Sequence, residues 1–74
     1  MKSENQLQSD PLGGRLKELR QSKGLTQQAL ADAAGLNISQ VQKLEAGTIK
    51  AENISLRNGL SLADALGVDA RDLL

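Results

Sequence analysis

The 74-residue chain has no cysteine, no histidine and no aromatic residue, and it has a single proline. Without cysteine or histidine it can form neither a disulfide framework nor a thiolate or imidazole metal site. The same absences remove the nucleophiles and proton carriers of most hydrolytic enzymes, so we expect no enzymatic activity, no cofactor and no metal. Without aromatic side chains there is no platform for unstacked bases, which argues against readers of single-stranded nucleic acid.

Long hydrophobic runs are also absent. No apolar run approaches the roughly 18 residues of a membrane span, and residues 1–6 lack the apolar centre of a signal peptide. The sequence therefore predicts a soluble, cytoplasmic protein with no membrane partner. Its apolar residues are dominated by fourteen leucines and nine alanines, against three isoleucines and two valines. This composition favours helices over sheets, and the short chain predicts one small domain.

Neither sign of charge dominates, because nine basic and nine acidic residues give a formal net charge of zero. The distribution along the chain is uneven. Residues 13–57 hold seven basic and four acidic side chains (net +3), whereas residues 1–12 carry −1 and residues 58–74 carry −2. A mildly basic body between acidic ends is compatible with a polyanionic partner.

Helix start and stop signals predict five helices. Residues 1–12 are polar and close with Asp10-Pro11 before two glycines, which predicts a flexible N-terminal arm followed by a domain over residues 13–74. The first helix is predicted over about residues 14–22. Each later helix starts after a capping residue and the longer ones end at a glycine: Thr26 to Gly35, Asn37 to Gly47, Ser55 to Gly67, and a short helix after Asp69.

Apolar residues recur at helical spacing within these segments. In the second helix, the residues predicted to point inward are Leu30, Ala33 and Ala34. The fourth helix is apolar around most of its circumference, which predicts a position in the middle of a small bundle. The residues responsible are Leu56, Leu60, Leu62, Ala63 and Leu66. Residues 48–54 are predicted to form a loop before this helix.

Residues 27–46 have the spacing of a helix-turn-helix. Ala31 is small where the second helix must cross the third closely. Gly35 can take the left-handed conformation that lets a three-residue turn join two steeply inclined helices. The segment therefore predicts two helices that share one core.

With these features the chain resembles the phage repressor and Cro type of helix-turn-helix domain, also called the xenobiotic-response-element type. The resemblance covers roughly residues 14–74. Two features depart from the family pattern: the loop after Gly47 is longer than usual, and the third helix is less basic than in most members. The landmarks, in family order and spacing, are Leu16-Lys17-Glu18-Leu19-Arg20, Gly24-Leu25-Thr26-Gln27 with Leu30-Ala31, Val41 to Glu45 with Gly47, and Leu62-Ala63-Asp64-Ala65-Leu66-Gly67-Val68. The resemblance implies an all-α, compact five-helix bundle of the lambda-repressor-like type. Its central helix-turn-helix would place the third helix, about residues 38–46, in the major groove.

A helical wheel of the third helix with Val41 facing the core separates a polar face from the apolar one. The residues opposite the core are Ser39, Gln42, Lys43 and Ala46, with Ile38 and Gln40 at the rim. Lysine can reach guanine and glutamine can pair with adenine in a major groove. The resemblance adds that Ile38, Ser39 and Lys43 match base-contact positions of the family.

We therefore predict base contacts from Ile38, Ser39, Gln42 and Lys43, and a base or rim contact from Gln40. Two alternatives remain open. The two glutamines can be merely solvated, and Ile38 can equally pack against the second helix.

Phosphate contacts are expected where free N–H groups at a helix N-terminus face the DNA backbone. Gln27, first in the second helix, matches the phosphate-binding glutamine of the family. Further phosphate candidates are Asn37, Thr48, Lys50 and Arg57. For Arg57 a solvated surface cation is an equally good interpretation. It is the better interpretation for Lys17, Lys23 and Arg71.

Arg20 and Glu45 each flank an inward face of their helices, 40° from Leu16 and from Val41 on the respective wheels. Neither charge can point freely into solvent. The resemblance implies that the two form a partly buried structural salt bridge that holds the third helix against the first.

The leading hypothesis is a sequence-specific regulator of transcription that binds double-stranded DNA. We expect a repressor that acts as a homodimer on a palindromic operator. The sequence ends on Leu73-Leu74, and exposed leucines there indicate either a dimer interface or a cut in a longer protein. We predict a dimer interface that includes Val68, Leu73 and Leu74, with the 48–54 loop as a further candidate. The alternative is a protein-interaction module, such as an antitoxin-like partner of a toxin, with DNA binding secondary. The zero net charge and a pI of about 6.1 favour that alternative.

Overall fold

The computed structural model describes residues 11–73. Within that range it contains no strand and five α-helices: α1 (Pro11–Ser22), α2 (Gln27–Ala34), α3 (Ile38–Ala46), α4 (Leu56–Leu66) and α5 (Ala70–Leu73). A single 3-10 turn, Ala51–Asn53, lies between α3 and α4. The predicted all-α fold of five helices is confirmed. None of the described helices is long and apolar enough to cross a membrane.

The predicted capping residues begin α2, α3 and α4. The side chain of Thr26 accepts a hydrogen bond from the N–H of Ala29 at 3.0 Å, and Ser55 accepts one from Asn58 at 3.1 Å. At the other end of α2, Gly35 adopts φ 71°, a left-handed conformation that favours glycine. Local hydrogen bonds and one permissive glycine therefore set the start and end of α2 and the start of α4.

The first helix begins earlier than predicted, at Pro11 rather than near Gly14. Leu12 is only 2% exposed and belongs to the core. A Cβ atom at Gly13 would lie 2.6 Å from the carbonyl oxygen of Leu44, so α1 approaches the backbone of α3 closely here. Gly13 permits a close helix contact, and neither glycine marks a break in α1. The predicted arm boundary is therefore wrong at Pro11 and Leu12, and the rest of the arm lies outside the described residues.

One hydrophobic core connects all five helices. Helix α1 packs on α3 and α5, α2 packs on α3 and α4, and α4 packs on α5. The buried apolar residues are Leu12, Leu16, Leu30, Ala31, Ala34, Val41, Leu44, Leu62, Ala63, Leu66 and Leu73. Because α2 and α3 bury side chains in the same core, their relative orientation is set by packing.

Helix α4 is not buried all round, contrary to the prediction. Its inner residues Leu62 and Leu66 are at most 1% exposed, whereas Leu56 is 74% exposed and Leu60 is 47% exposed. Neighbouring helices cover one side of α4 and leave the other open. Ala33 on α2 was also predicted to point inward, but it is exposed. The buried face of α2 consists of other residues of that helix.

The C-terminal leucine prediction is wrong for Leu73, which is 1% exposed and lies in the core of its own chain. Arg15 on α1 donates a hydrogen bond through Nη1 to the carbonyl oxygen of Asp72 at 2.8 Å, which holds α5 against α1. Leu73 therefore cannot contact a second copy without leaving that core. Val68 is half-buried against the core. Leu74 lies outside the described residues.

Candidate nucleic-acid interface

The orientation of α3 is determined by its inner face. Val41 is 0% exposed and Leu44 is 2% exposed, and Leu36 in the preceding turn packs against the same core. The N–H of Leu36 donates to the carbonyl oxygen of Ala31 at 2.9 Å, which ties the turn to α2. These contacts determine which side of α3 is presented to solvent.

The outer face of α3 agrees with the helical wheel. Ser39, Gln42, Lys43 and Ala46 are exposed, while Ile38 and Gln40 are half-buried at the rim. Within residues 11–73 the side chains of Ser39, Gln42 and Lys43 form no hydrogen bond or ion pair. Their donors and acceptors are therefore not used by the fold, and their contacts with bases stay predictions.

Gln40 is engaged in the cap of its own helix. Its side-chain oxygen accepts a hydrogen bond from the N–H of Asn37 at 3.1 Å, and the side-chain oxygen of Asn37 accepts one from the N–H of Gln40 at 3.0 Å. A bidentate contact with adenine needs both the oxygen and the nitrogen of a glutamine amide. While this capping box is intact, one of the two lone pairs on the side-chain oxygen of Gln40 is occupied, which restricts the orientation of its amide for a bidentate contact. The side-chain nitrogen of Asn37 remains able to donate to a phosphate.

The predicted salt bridge between α1 and α3 is present. Arg20 donates through Nε to Oε2 of Glu45 at 2.6 Å and through Nη2 to Oε1 at 3.1 Å. Its Nη1 donates to the carbonyl oxygen of Leu25 at 2.7 Å. The side chains of Arg20 and Glu45 are only 10% and 4% exposed. The hydrogen bond with Glu45 raises the pKa of Arg20, although burial opposes this, so the guanidinium remains charged.

Gln27 joins this network from α2. Its Nε2 donates to Oε1 of Glu45 at 3.0 Å, so one carboxylate binds side chains from both α1 and α2. The second hydrogen on Nε2 is free to donate to a phosphate, as are the first backbone N–H groups of α2. The network therefore holds the strongest phosphate candidate at a constant position relative to α3.

An open cavity of about 430 Å³ lies where α1, α2 and α3 meet. It is lined by Lys17, Arg20, Gln27, Gln42, Glu45 and Ala46. The cavity brings the phosphate candidate Gln27 beside the base candidate Gln42. The other phosphate candidates Thr48, Lys50 and Arg57 are exposed but do not border it.

Lys17 was interpreted from the sequence as a solvated surface cation, and it is exposed, but its position also makes it a phosphate candidate. It lines the cavity beside Gln27, and it has no ion-pair partner within the described part of the chain. The signal was available, since Lys17 lies three residues before Arg20 and therefore on the same side of α1. An exposed lysine at this edge can neutralise a phosphate.

The segment after α3 is more ordered than the predicted loop. The N–H groups of Thr48 and Ile49 both donate to the carbonyl oxygen of Lys43, at 2.8 and 3.2 Å. Ile49, Ala51 and Ile54 pack against the core, and the 3-10 turn contacts α1. The apolar side chains of this segment therefore face inward and leave Thr48 and Lys50 in solvent.

Comparison with known proteins agrees with this architecture. The helix-turn-helix family model of the Cro/C1 type matches residues 16–73. The chain is similar to the restriction-modification controller protein C.AhdI from Aeromonas hydrophila, with 45% identity over 86% of this chain and 92% of that chain and a TM-score of 0.78. It is also similar to the clp gene regulator ClgR from C. glutamicum, with 30% identity over 86% and 79% of the two chains and a TM-score of 0.75. No curated protein sequence matches the chain significantly.

The family match extends from α1 to α5, so it includes both the helix-turn-helix and the core that orients α3. The family binds double-stranded DNA. Both similar structures share the fold at 30% identity or more. The chain therefore belongs to the Cro/C1-type helix-turn-helix family of DNA-binding transcription regulators.

Proposed function

We propose that the protein represses transcription as a homodimer on a palindromic operator, with α3 in the major groove. The observation that carries this proposal is the exposed polar face of α3, whose side chains Ser39, Gln42 and Lys43 are not used by the fold. The opposite face is held by buried leucine and valine side chains and by the ion pair of Glu45. A polar face on a helix of constant orientation can read base edges.

The proposed DNA contacts are of two kinds: contacts that read bases and contacts to phosphates that position the protein. Ile38, Ser39, Gln42 and Lys43 would read bases, because they lie on or beside the outer face of α3. The positioning contacts to phosphates would come from Gln27, Asn37, Lys17, Thr48 and Lys50. Gln27 is the central positioning contact, because its hydrogen bond to Glu45 links the phosphate site to the helix that reads the bases.

A homodimer is part of the proposal because one chain makes few contacts with one half-site. A single α3 of nine residues presents few base-reading side chains, and the chain has no net positive charge to strengthen nonspecific binding. Two copies related by a two-fold axis would read half-sites about 10 bp apart. Repression is the simplest outcome, because a bound dimer blocks access to a promoter without needing any further surface.

Selection of bound sites from random duplex DNA tests the proposal. We expect a palindromic consensus with half-site centres about one helical turn apart. A variant that carries Ser39→Ala, Gln42→Ala and Lys43→Ala is the control, because these exposed positions leave the fold intact while removing the reading groups. Loss of enrichment in that variant supports the reading face. A wild-type protein that enriches no sequence contradicts the proposal and favours the protein-interaction module.

The direction of regulation is tested with a reporter gene whose promoter overlaps the selected site. Repression predicts lower expression in the presence of the protein, and the triple variant should restore it. Higher expression with the wild-type protein would show activation instead.

A further inference from the structure

The outer side of α4 carries the two large hydrophobic residues that are exposed within residues 11–73. Leu56 and Leu60 are 74% and 47% exposed and lie one helical turn apart. Arg57 and Asp64 are exposed on the same side of the helix. We call the set Leu56, Arg57, Leu60 and Asp64 the α4 outer face. It combines an apolar centre with one positive and one negative charge.

The two charges of the α4 outer face are not paired with each other. Arg57 and Asp64 are seven residues apart, which separates them by about 10.5 Å along the helix axis. Neither forms an ion pair within the described part of the chain. On a helical wheel of α4, Arg57 is rotated by about 60° from Leu60 and Asp64 by about 40°, both in the same direction. Each charge is therefore available to a partner on the surface that covers Leu60.

This arrangement is complementary to itself. A two-fold axis near Leu60 would pack two α4 helices antiparallel, with the side that carries the charges shared by both helices. Arg57 of one copy then lies level with the partner's Asp64, and the same pair recurs by symmetry. A parallel two-fold arrangement would put the charged sides of the two helices on opposite sides of the interface, with Arg57 level with the partner's Arg57, so no reciprocal ion pair could form.

We propose that a second copy of this chain docks on the α4 outer face, with α4 against α4 in antiparallel orientation and two reciprocal ion pairs between Arg57 and Asp64. The inference deepens the proposed function and rests on its homodimer, for which it names the contact surface. The α4 outer face takes the place of Leu73 as the proposed dimer contact, because Leu73 is buried in its own chain. The inference also assigns Arg57 to the dimer rather than to a DNA phosphate.

The expected dimer is weak in the absence of DNA. A stable interface buries about 800 Å² on each partner, and two leucines cover only part of that area. The ion pairs lie at the rim, where they contribute little to affinity but determine the register of the two helices. The free protein should therefore dissociate on dilution, and added salt should weaken the dimer.

Sedimentation equilibrium of the full chain without DNA tests the surface. Leu60→Asp should abolish dimerisation, while circular dichroism remains unchanged because Leu60 is an exposed position. Arg57→Asp and Asp64→Arg should each raise the dimer dissociation constant at least about tenfold, since each places like charges opposite one another. The double variant R57D/D64R should recover wild-type dimerisation within about threefold.

The most stringent test is to mix the Arg57→Asp and Asp64→Arg variants. One variant carries only acidic and the other only basic side chains at the two positions, so the mixture should dimerise although neither variant does alone. Lys23→Asp is the control for a charge reversal elsewhere on the surface, and it should leave dimerisation unchanged. A wild-type chain that stays monomeric, a dimer that survives Leu60→Asp, or a mixture that fails to associate would overturn the inference.

Duplexes with one half-site and with two half-sites separate this inference from the proposed function. If both hold, the α4 variants bind a single half-site as the wild type does and lose affinity only for the palindrome. Dimerisation through α4 without any selected palindrome would contradict the proposed function and leave the interface standing. A selected palindrome that the α4 variants bind with wild-type affinity would overturn the interface and leave the proposed function standing.

Discussion

The outer faces of α3 and α4 differ although both helices bury their inner sides in one core. The exposed side of α3 is polar and contains Ser39, Gln42 and Lys43, whereas the exposed side of α4 centres on Leu56 and Leu60. Burial in the core constrains only the inner residues of each helix. The outer residues are therefore free to suit a ligand, which in our proposals is a DNA groove for the polar face and the apolar surface of a second copy for the other.

The two helices are also held differently. Helix α4 is held by hydrocarbon contacts such as those of Leu62 and Leu66, which are non-directional. Helix α3 has in addition the bidentate ion pair of Glu45 with Arg20 and a hydrogen bond to Gln27. Hydrogen bonds require defined distances and angles, so this network constrains the position of α3 more narrowly than packing alone. That constraint suits a helix whose outer side chains must match base edges.

The largest effect expected from a polar substitution comes from breaking the ion pair that holds α3. Arg20→Ala and Glu45→Ala should each lower the free energy of unfolding by about 3 kcal/mol, because each leaves a buried charge without its partner. The double variant should recover part of that loss. Urea denaturation measures all three. Arg71→Ala is the control, with an expected effect within about 0.5 kcal/mol, because its side chain is 91% exposed.

Additive effects in that cycle would mean that Arg20 and Glu45 do not act as a pair. The difference in the way α3 and α4 are held would then lose its basis, and packing alone would account for both helices.

The next effect separates reading from positioning on the polar face. Lys43→Ala should cost about 1–3 kcal/mol on the preferred duplex and little on random DNA, whereas Gln27→Ala should weaken both similarly. Affinities measured at several salt concentrations distinguish the roles, since each lost phosphate contact reduces the salt slope by about 0.9. Lys23→Ala is the control lysine. Equal losses on both duplexes would remove Lys43 from the base-reading residues.

A smaller effect is expected where α1 crosses α3. Gly13→Ala places a methyl group 2.6 Å from the carbonyl oxygen of Leu44, and the resulting strain of about 1–3 kcal/mol exceeds the gain in helix propensity. Gly14 is the matched control, because nothing lies within 4 Å of its added Cβ. We expect Gly13→Ala to destabilise and Gly14→Ala to stabilise the protein, each by about 1 kcal/mol in thermal or urea denaturation. Stabilisation by both would show that α1 and α3 can separate without loss.

The smallest effect concerns the apolar face. Leu56→Ser should change the stability of the monomer by less than about 0.5 kcal/mol, because the side chain is already 74% exposed. Denaturation at a concentration below the dimer dissociation constant measures this. Leu62→Ala on the buried side of α4 is the contrast and should cost about 2–5 kcal/mol. A large loss from Leu56→Ser would mean that the outer face of α4 supports the monomer.

The sequence by itself determined the elements that depend on near neighbours. Thr26, Asn37 and Ser55 begin helices through hydrogen bonds to residues three positions ahead, and Gly35 ends one through its own backbone conformation. The wheel of α3 was equally reliable, because its polar and apolar residues separate into two clear faces. The prediction of the Arg20–Glu45 ion pair combined this periodicity with the family resemblance.

Only the tertiary structure decided what depends on distant segments. The leucines of α4 spread over a wide arc of the helix, so its sequence alone does not say which of them are covered. Leu60 outside and Leu62 inside follow from where α2 and α5 lie. Gly13 suggested a break by its local preference, but close contact with α3 makes a glycine suitable within α1. Leu73 is buried because α1 and α4 lie beside α5. Capping is settled within one helical turn, whereas burial is settled by elements far away in the chain that happen to pack together.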